Sequence, residues 1–366
     1  MAEKYLDLPP SVLVMQPGTL CNLDCEYCYL PDRRRNRLME RDVNLSVAGT
    51  AVRWASSGHT VQALWHMGEP LAVGVERMEE LWSAWPPGTV HRIQTNGTLI
   101  NDAWCDLFSR HTVRVSVSSD GPGAMNASRA SWSGVPAGNR VDSGLRLLRD
   151  RGVPFGLLSV VRVPDPRAAV LLYDYARRTG ARSLGILPEE KKGVHKSTGT
   201  RSRTEWIAYF QALFMAWREN PSVRLRELES VGNCHRAISS GMSYERLQEI
   251  PVEAMPTIAH NGDVTVLSPD LLGQLHHRYG PFTVGNVLTA RLEDILDGAD
   301  RVPWVAEALA GVETCRRTCR YAAVCGGNWP ANKYFELGRL DGTETTYCRN
   351  LHQAKLEGAL LCRTNS

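Results

Sequence analysis

A chain of 366 residues with 43% hydrophobic and 22% charged side chains has room for two or three domains, or for one barrel with an appendage, and excludes a fibre or a disordered tail. Its 42 Lys plus Arg against 39 Asp plus Glu leave a formal charge of +3, too balanced to argue for nucleic acid as a partner. No run of about 18 apolar residues offers a membrane span, and residues 1–7 lack the basic-then-apolar order of an export signal. No membrane partner and a cytoplasmic location are expected.

Strand-like apolar runs fall at residues 11–16, 61–66, 90–94, 113–118, 155–162 and 183–187, with helix-period segments at 44–57, 101–109, 141–151 and 166–179 between them. Strands alternating with helices argue for a parallel α/β sheet, and the count alone does not separate a barrel from a doubly wound sheet. From about residue 190 the pattern changes. Lys191-Lys192-Gly193 and Ser197-Thr198-Gly199 read as a loop, and residues 204–217 as an amphipathic helix. After residue 250, Asn261-Gly262 between short apolar runs signals a hairpin, and an irregular, cysteine-rich region follows. The run Arg33-Arg34-Arg35-Asn36-Arg37 reads as a solvated face, or else as a grip for an acidic peptide.

Ten cysteines in a chain without an export signal are read as metal ligands or reactive thiols, since a reducing compartment disfavours disulfides. Seven of them form two groups. Cys21-Asn22-Leu23-Asp24-Cys25-Glu26-Tyr27-Cys28 follows the first apolar strand as a C-x3-C-x2-C loop. A closed 4Fe-4S cluster takes four thiolates, so three leave one iron open. Structural zinc would need a fourth ligand that no nearby His or Cys supplies.

This triplet resembles the signature of radical S-adenosylmethionine (SAM) enzymes. The resemblance implies a 4Fe-4S cluster on Cys21, Cys25 and Cys28 whose open iron binds the amino and carboxylate groups of SAM, with Tyr27 beside it. Trp65-His66-Met67-Gly68-Glu69-Pro70 resembles the family's G-G-E-P segment with Met67 in place of the first glycine, which makes Glu69 the acceptor for the SAM ammonium group. Gln94-Thr95-Asn96-Gly97-Thr98 and Ser116-Val117-Ser118-Ser119-Asp120-Gly121-Pro122 end two further strands. In the family such ends line the SAM pocket, which places Thr95 there and Ser118 near the ribose or methionine moiety. Arg129 is the shifted counterpart of a family arginine. The implied fold is a partial (β/α)6 TIM-like barrel.

Cys315-Arg316-Arg317-Thr318-Cys319, Cys325-Gly326-Gly327 and Cys348 supply four thiols, a complete set for a buried cluster and equally for zinc. This group resembles the SPASM extension of radical SAM peptide-modifying enzymes, with C-x3-C where C-x2-C is usual. Trp329 stands where a second auxiliary cluster would place a cysteine, so one auxiliary 4Fe-4S cluster is implied. Cys105, Cys234 and Cys362 read as buried apolar thiols, with a remnant cluster ligand as the alternative for Cys234. The expected domains are 1–190, the radical SAM partial barrel; 191–250, a helical bridge; and 251–366, the cysteine-rich SPASM domain.

Leu267-Ser268-Pro269-Asp270-Leu271-Leu272-Gly273, Gly285-Asn286-Val287, Pro330-Ala331-Asn332-Lys333-Tyr334-Phe335 and Thr343-Glu344-Thr345-Thr346-Tyr347-Cys348 resemble segments of the cyclophane-forming maturases of glycine-rich-repeat precursor peptides. Those enzymes join an aromatic ring carbon to a β-carbon in a ribosomally made peptide. The resemblance implies a precursor peptide as substrate, a flavodoxin- or ferredoxin-type reductant, SAM cleavage at the first cluster and electron acceptance at the second. No catalytic residue is assigned. Glu189 and Glu190 after the sixth strand are candidates for a base but read as a solvent-exposed pair. A radical SAM dehydrogenase of the formylglycine or alcohol-oxidising kind, and a non-catalytic zinc or cluster protein, stay open as alternatives.

Overall fold

The computed structural model describes residues 6–196, 199, 201–243, 246, 250–327 and 329–364. Residues 1–5, read above for an export signal, and Ser197 and Thr198 of the expected loop lie outside these. The first half alternates strands β1 (Leu6–Asp7), β2 (Val12–Met15), β3 (Gln62–Trp65), β4 (His91–Thr95), β5 (Val113–Ser118), β6 (Phe155–Val161), β7 (Ser183–Pro188) and β8 (Arg224–Leu225) with helices. The helices are α1 (Arg41–Ser56), α2 (Val75–Ser83), α3 (Asp102–Arg110), α4 (Gly138–Asp150), α5 (Pro166–Thr179), α6 (Arg203–Glu219) and α7 (Arg226–Ser239). Each expected strand and helix is present within a few residues, and α2 is an element that the sequence reading passed over.

Strands β2 to β8 lie side by side in chain order and run parallel. Parallel neighbours need crossover connections, which the helices supply while covering the sheet with their apolar faces. In α1 that face is Val43, Val47, Ala48 and Ala51, at helical spacing. Helix α5 starts where the Asp165 side chain accepts from the Arg167 N–H with Pro166 in the first turn, and stops at Gly180 in the left-handed conformation. Along β6, buried and half-buried residues alternate, so its side chains go in turn to the two faces of the sheet.

The expected Asn-Gly hairpin forms between β10 (Thr257–Ile258) and β11 (Asp263–Thr265), after the short β9 (Val252–Glu253). It does not stand apart. Thr257 and Ile258 pair in parallel with Val14 and Met15 of β2. After β12 (Leu275–His276) and β13 (Gly280–Pro281), strand β14 (Gly285–Asn286) pairs with β11. Segments from all three expected domains therefore share one ten-stranded, mostly parallel sheet. With β2 to β7 parallel, the loops that leave their carboxyl ends open on a single rim, where such folds gather their chemistry.

Candidate functional site

The loop after β2 carries the first three cysteines. It is pinned from both sides: Cys21 N donates to Arg33 O (2.8 Å), Asp24 N to Ala130 O (2.7 Å) and Glu26 N to Ser128 O (3.0 Å), and Trp132 Nε1 donates to Cys21 O (2.8 Å). Arg33 and Arg34 lie over the Trp132 ring, and Arg33 pairs with Asp24 at 3.0 Å with only 12% of its side chain exposed. The solvated-face reading thus fails for Arg33, which clamps the loop, and holds for Arg35, 62% exposed.

Cys21, Cys25 and Cys28 stand close enough to feel one another's charge, and burial with the nearby Glu69 carboxylate pushes the Cys21 thiol up to about 12. Such thiols release their protons only to a strongly positive partner, and a bound iron cluster is one. Three half-buried thiols on one loop, within electrostatic reach of one another, suit a cluster several ångströms across.

Glu69 follows β3 and is 2% exposed. Its Oε1 accepts from Leu71 N (3.0 Å) and Thr95 Oγ1 (2.6 Å), and its Oε2 from Asn96 N (2.7 Å). Burial raises its carboxyl above the usual range, while these donors and Arg129 oppose the shift. A carboxylate has about four lone-pair sites, so one is left for a ligand. The turn that presents Glu69 is tight: Glu69 N donates to Leu20 O at 2.8 Å, and a Cβ on Gly68 would stand 2.7 Å from Gly18 O. Met67 adopts the left-handed φ of +74° that the family's glycine would give. Its side chain, 1% exposed, packs with Leu30, Ala259 and Leu272, and that burial offsets about 1–2 kcal/mol of backbone strain.

Thr95 thus orients Glu69, and its hydroxyl also accepts from Gly97 N (3.0 Å). Asn96, which the sequence reading passed over, binds Glu69 through its backbone and donates from Nδ2 to Asn22 Oδ1 (2.8 Å) in the cysteine loop. Ser118 Oγ accepts from Gln94 Nε2 (2.8 Å). Tyr27 Oη donates to Asp120 Oδ2 (2.6 Å) and accepts from Arg129 Nη1 (2.7 Å). Burial works against the Arg129 charge, but Tyr27, Cys25 and Asp120 outweigh it. Arg129 is 5% exposed and its Nε has no hydrogen-bond partner among the described residues. A buried orphan donor beside Cys25 and within the electrostatic reach of Glu69 suits an anionic ligand group such as the SAM carboxylate. A cavity of about 420 Å³ adjoins this group, lined by Asp120, Met125, Ser128, Val161, Arg162 and Glu189 among others.

The acidic pair after β7 is not solvent-exposed. The Glu189 and Glu190 side chains are 5% and 11% exposed. Glu189 accepts from Arg162 Nε at 3.0 Å. Lys192 Nζ donates at 2.8 Å both to Glu190 Oε1 and to Asp270 Oδ2, lies 4.8 Å from the centre of the Tyr29 ring, and Asn332 Nδ2 donates to Glu190. One ammonium serves two carboxylates. Burial and the Asp270 charge therefore push Glu190 up to about 7 against the pull of Lys192. Burial holds His66, in electrostatic reach of Asp270 and Lys192, down at about 4 and so neutral.

In the C-terminal region, Cys315 lies on the helix Pro303–Thr318 and Cys319 caps it, donating its N–H to Cys315 O (2.8 Å). The C-x3-C spacing is thus one helical turn, which puts both thiols on one face. Cys325 ends the helix Ala322–Cys325, and Cys348, 4% exposed, opens the π-helical stretch Cys348–Gln353. Cys325 and Cys348 each feel the charge of Cys319, so the four thiols form one electrostatic group. Among the described residues no three His, Cys, Asp or Glu side chains converge on a point that would hold a single metal ion. Cys105 is fully buried. Cys234 is not: it sits half-exposed on α7, whose described face packs little against the core, and Cys362 is half-buried, its Sγ 3.6 Å from Gln211 O.

Among the described residues no helix is long and apolar enough to cross a membrane. A protein of Synechocystis sp. is 28% identical, covering 93% of this chain and 89% of its own length. The serine-type anaerobic sulfatase-maturating enzyme of Klebsiella aerogenes is 26% identical over 90% of this chain and 82% of its own. Among solved structures, anSMEcpe with bound AdoMet superposes with a TM-score of 0.76 at 20% identity, covering 98% of this chain and 95% of that one. Streptococcus suis SuiB bound to its precursor peptide SuiA gives 0.66 at 15% identity over 93% and 76%. These two show a shared fold. Residues 15–164 match the radical SAM superfamily, and this span contains the cysteine triplet, Glu69 and Arg129. The match is to the part of the chain that carries the candidate site, and proteins of that superfamily bind a 4Fe-4S cluster and SAM.

Proposed function

We propose that this chain is a radical SAM peptide maturase that installs an oxidative crosslink of the cyclophane type, aromatic ring carbon to β-carbon, in a ribosomally made precursor peptide. One observation carries the reading: a buried ionic group stands between the two cysteine sets. Tyr29, next to Cys28, and Asn332, next to the Lys333 that neighbours Cys315, both meet Glu190, Lys192 or Asp270. Cys21, Cys25 and Cys28 would hold the SAM-binding cluster, and Cys315, Cys319, Cys325 and Cys348 one auxiliary 4Fe-4S cluster. Glu69 would receive the SAM ammonium group and Arg129 its carboxylate. Thr95 and Asn96 act through Glu69, and Tyr27 through Arg129. When bound, the clusters and SAM supply one-electron chemistry able to remove an unactivated hydrogen. The chain supplies aim and proton handling. Glu190, which burial pushes up to about 7, is suited to accept the proton that oxidation releases.

The names of relatives favour a second reading. Several are anaerobic sulfatase-maturating enzymes, serine-type or cysteine-type, and by that likeness the product would be a formylglycine aldehyde. Incubation with SAM, dithionite and peptides carrying either an aromatic residue near a β-methylene residue or an isolated Ser or Cys separates the two. A crosslinked peptide loses two hydrogens, resists fragmentation between the joined residues and ignores hydrazine. An aldehyde product fragments normally and is captured by hydrazine. Capture without any crosslink would replace the first reading by the second.

A further inference from the structure

Lys333 lies on the helix Pro330–Leu337 and is 0% exposed. A lysine at this depth ordinarily has a carboxylate or carbonyl for a partner. Lys333 Nζ has no oxygen or nitrogen partner among the described residues. Its neighbours are sulfur: the charges of Cys315, Cys325 and Cys348 all reach it, with Cys315 the strongest. Lys355, 5% exposed, also faces Cys325 but has the Glu227 carboxylate beside it. Lys333 thus lies buried against the thiols of the four-cysteine set, Cys315 being its strongest neighbour, with the Asp341 carboxylate within electrostatic reach but not hydrogen-bonded to it among the described residues.

We propose that Lys333 is the built-in counter-charge of the C-terminal four-cysteine site, raising the midpoint potential of the cluster held there so that it accepts an electron more readily. The inference rests on the auxiliary-cluster reading above. Reduction makes such a site one charge more negative, and the potential of an iron–sulfur cluster follows net charge, hydrogen bonds to its sulfurs and solvent exposure. A fixed positive charge at the sulfurs, shielded from water, therefore favours the reduced form. Lys333 acts through the cluster and is a positioning residue.

The test uses the full chain with Cys21, Cys25 and Cys28 replaced by Ala, so that iron content and paramagnetic signal report the C-terminal site alone. Potentiometric titration followed by electron paramagnetic resonance compares this parent with added Lys333→Met, Lys333→Gln and Lys333→Arg, and with Lys355→Met. The expected midpoint falls to more negative values for Met and Gln, stays near the parent for Arg, and moves less for Lys355→Met. Loss of iron from the Met and Gln variants but not from Arg supports the same role, since charge is then what the site requires. Iron retained with unchanged midpoints in Met and Gln overturns the inference and leaves the auxiliary cluster standing. Loss of iron from all three Lys333 variants also overturns it, because the defect is then steric. Zinc in place of iron in the parent overturns both readings together.

Discussion

Glu69→Gln isolates one charge in a site whose other contacts are known. In the parent, Oε1 accepts two hydrogen bonds and Oε2 one. An amide has one acceptor and one donor end. Placed over the old Oε2 position, its NH2 faces the Asn96 N–H; placed over Oε1, it faces the Leu71 N–H and a Thr95 hydroxyl already committed as acceptor to Gly97. Either orientation leaves a buried N–H unpaired, at a cost of about 1–3 kcal/mol. For a chain of this length the unfolding entropy converts that cost to a fall in Tm of about 1–4 °C. The loss of a charge-assisted bond to the SAM ammonium group costs a further 1.5–3 kcal/mol, roughly, in binding, which is about a tenfold to hundredfold rise in Kd. Anaerobic calorimetric titration measures the Kd, and scanning fluorimetry the Tm, while iron content stays at the parent level. Thr95→Val removes one donor to Glu69 and no charge, so its effect on Kd is smaller. A Glu69→Gln chain that melts lower but binds SAM with parent affinity would refute the ammonium assignment and reduce Glu69 to a structural brace.

Gly68→Ala places a methyl group 2.7 Å from Gly18 O and 2.8 Å from Leu20 O at a φ of +64°, so strain and overlap together cost about 2–4 kcal/mol; a lower Tm with reduced iron retention is expected, and unchanged iron retention would mean that this turn does not set the cysteine loop. Cys348→Ala should leave the auxiliary cluster labile while the first cluster and SAM cleavage persist, so that anaerobic turnover gives 5′-deoxyadenosine without crosslinked peptide; crosslinking at the parent rate counts against any role of this site in oxidation. Glu190 binds its proton more tightly folded than unfolded, since its value rises from 4.5 to about 7. Its contribution to stability is therefore complete below about pH 4.5 and is lost as pH climbs through 7. Between those limits the parent should lose about 2–4 °C in Tm relative to Glu190→Gln, for which this slope is absent; parallel Tm profiles would show that Glu190 is ionised throughout.

The strands were legible because each is a short apolar run between turn residues, and β2 to β7 pair with their neighbours in chain order. What periodicity does not encode is pairing across long stretches. Strand β10 reads as the start of a new unit, yet its partner is β2, more than 240 residues earlier. The same limit explains the site. Cysteine spacing and the G-E-P segment are local signals, and the residues they mark converge. Glu189 and Glu190 looked exposed because two adjacent acids in a loop usually are. The groups that cover and pair Glu190, Lys192, Asp270 and Asn332, come from segments up to 142 residues away. Cys234 failed in the opposite sense: it read as a buried thiol, but α7 offers little surface for it to pack against.

Asn332 and Lys333 join the two halves of the argument. Consecutive residues of a helix point about 100° apart, and here one reaches Glu190 while the other reaches Cys315. The helix Pro330–Leu337 therefore fixes the distance between a buried carboxyl raised above its usual range, the proposed proton acceptor, and a thiol set beside a lysine. Under the proposed reaction, removal of one hydrogen atom from the peptide is followed by loss of one proton and one electron as the closed-shell bond forms. Glu190 answers the first requirement and Lys333 bears on the second. A helix that carries both contacts on adjacent residues keeps the two exits in register without a flexible link between them, and a formylglycine-forming enzyme would need that same pair of exits. The arrangement thus argues for oxidation of a bound peptide more strongly than for any one product, which the fragmentation pattern must decide.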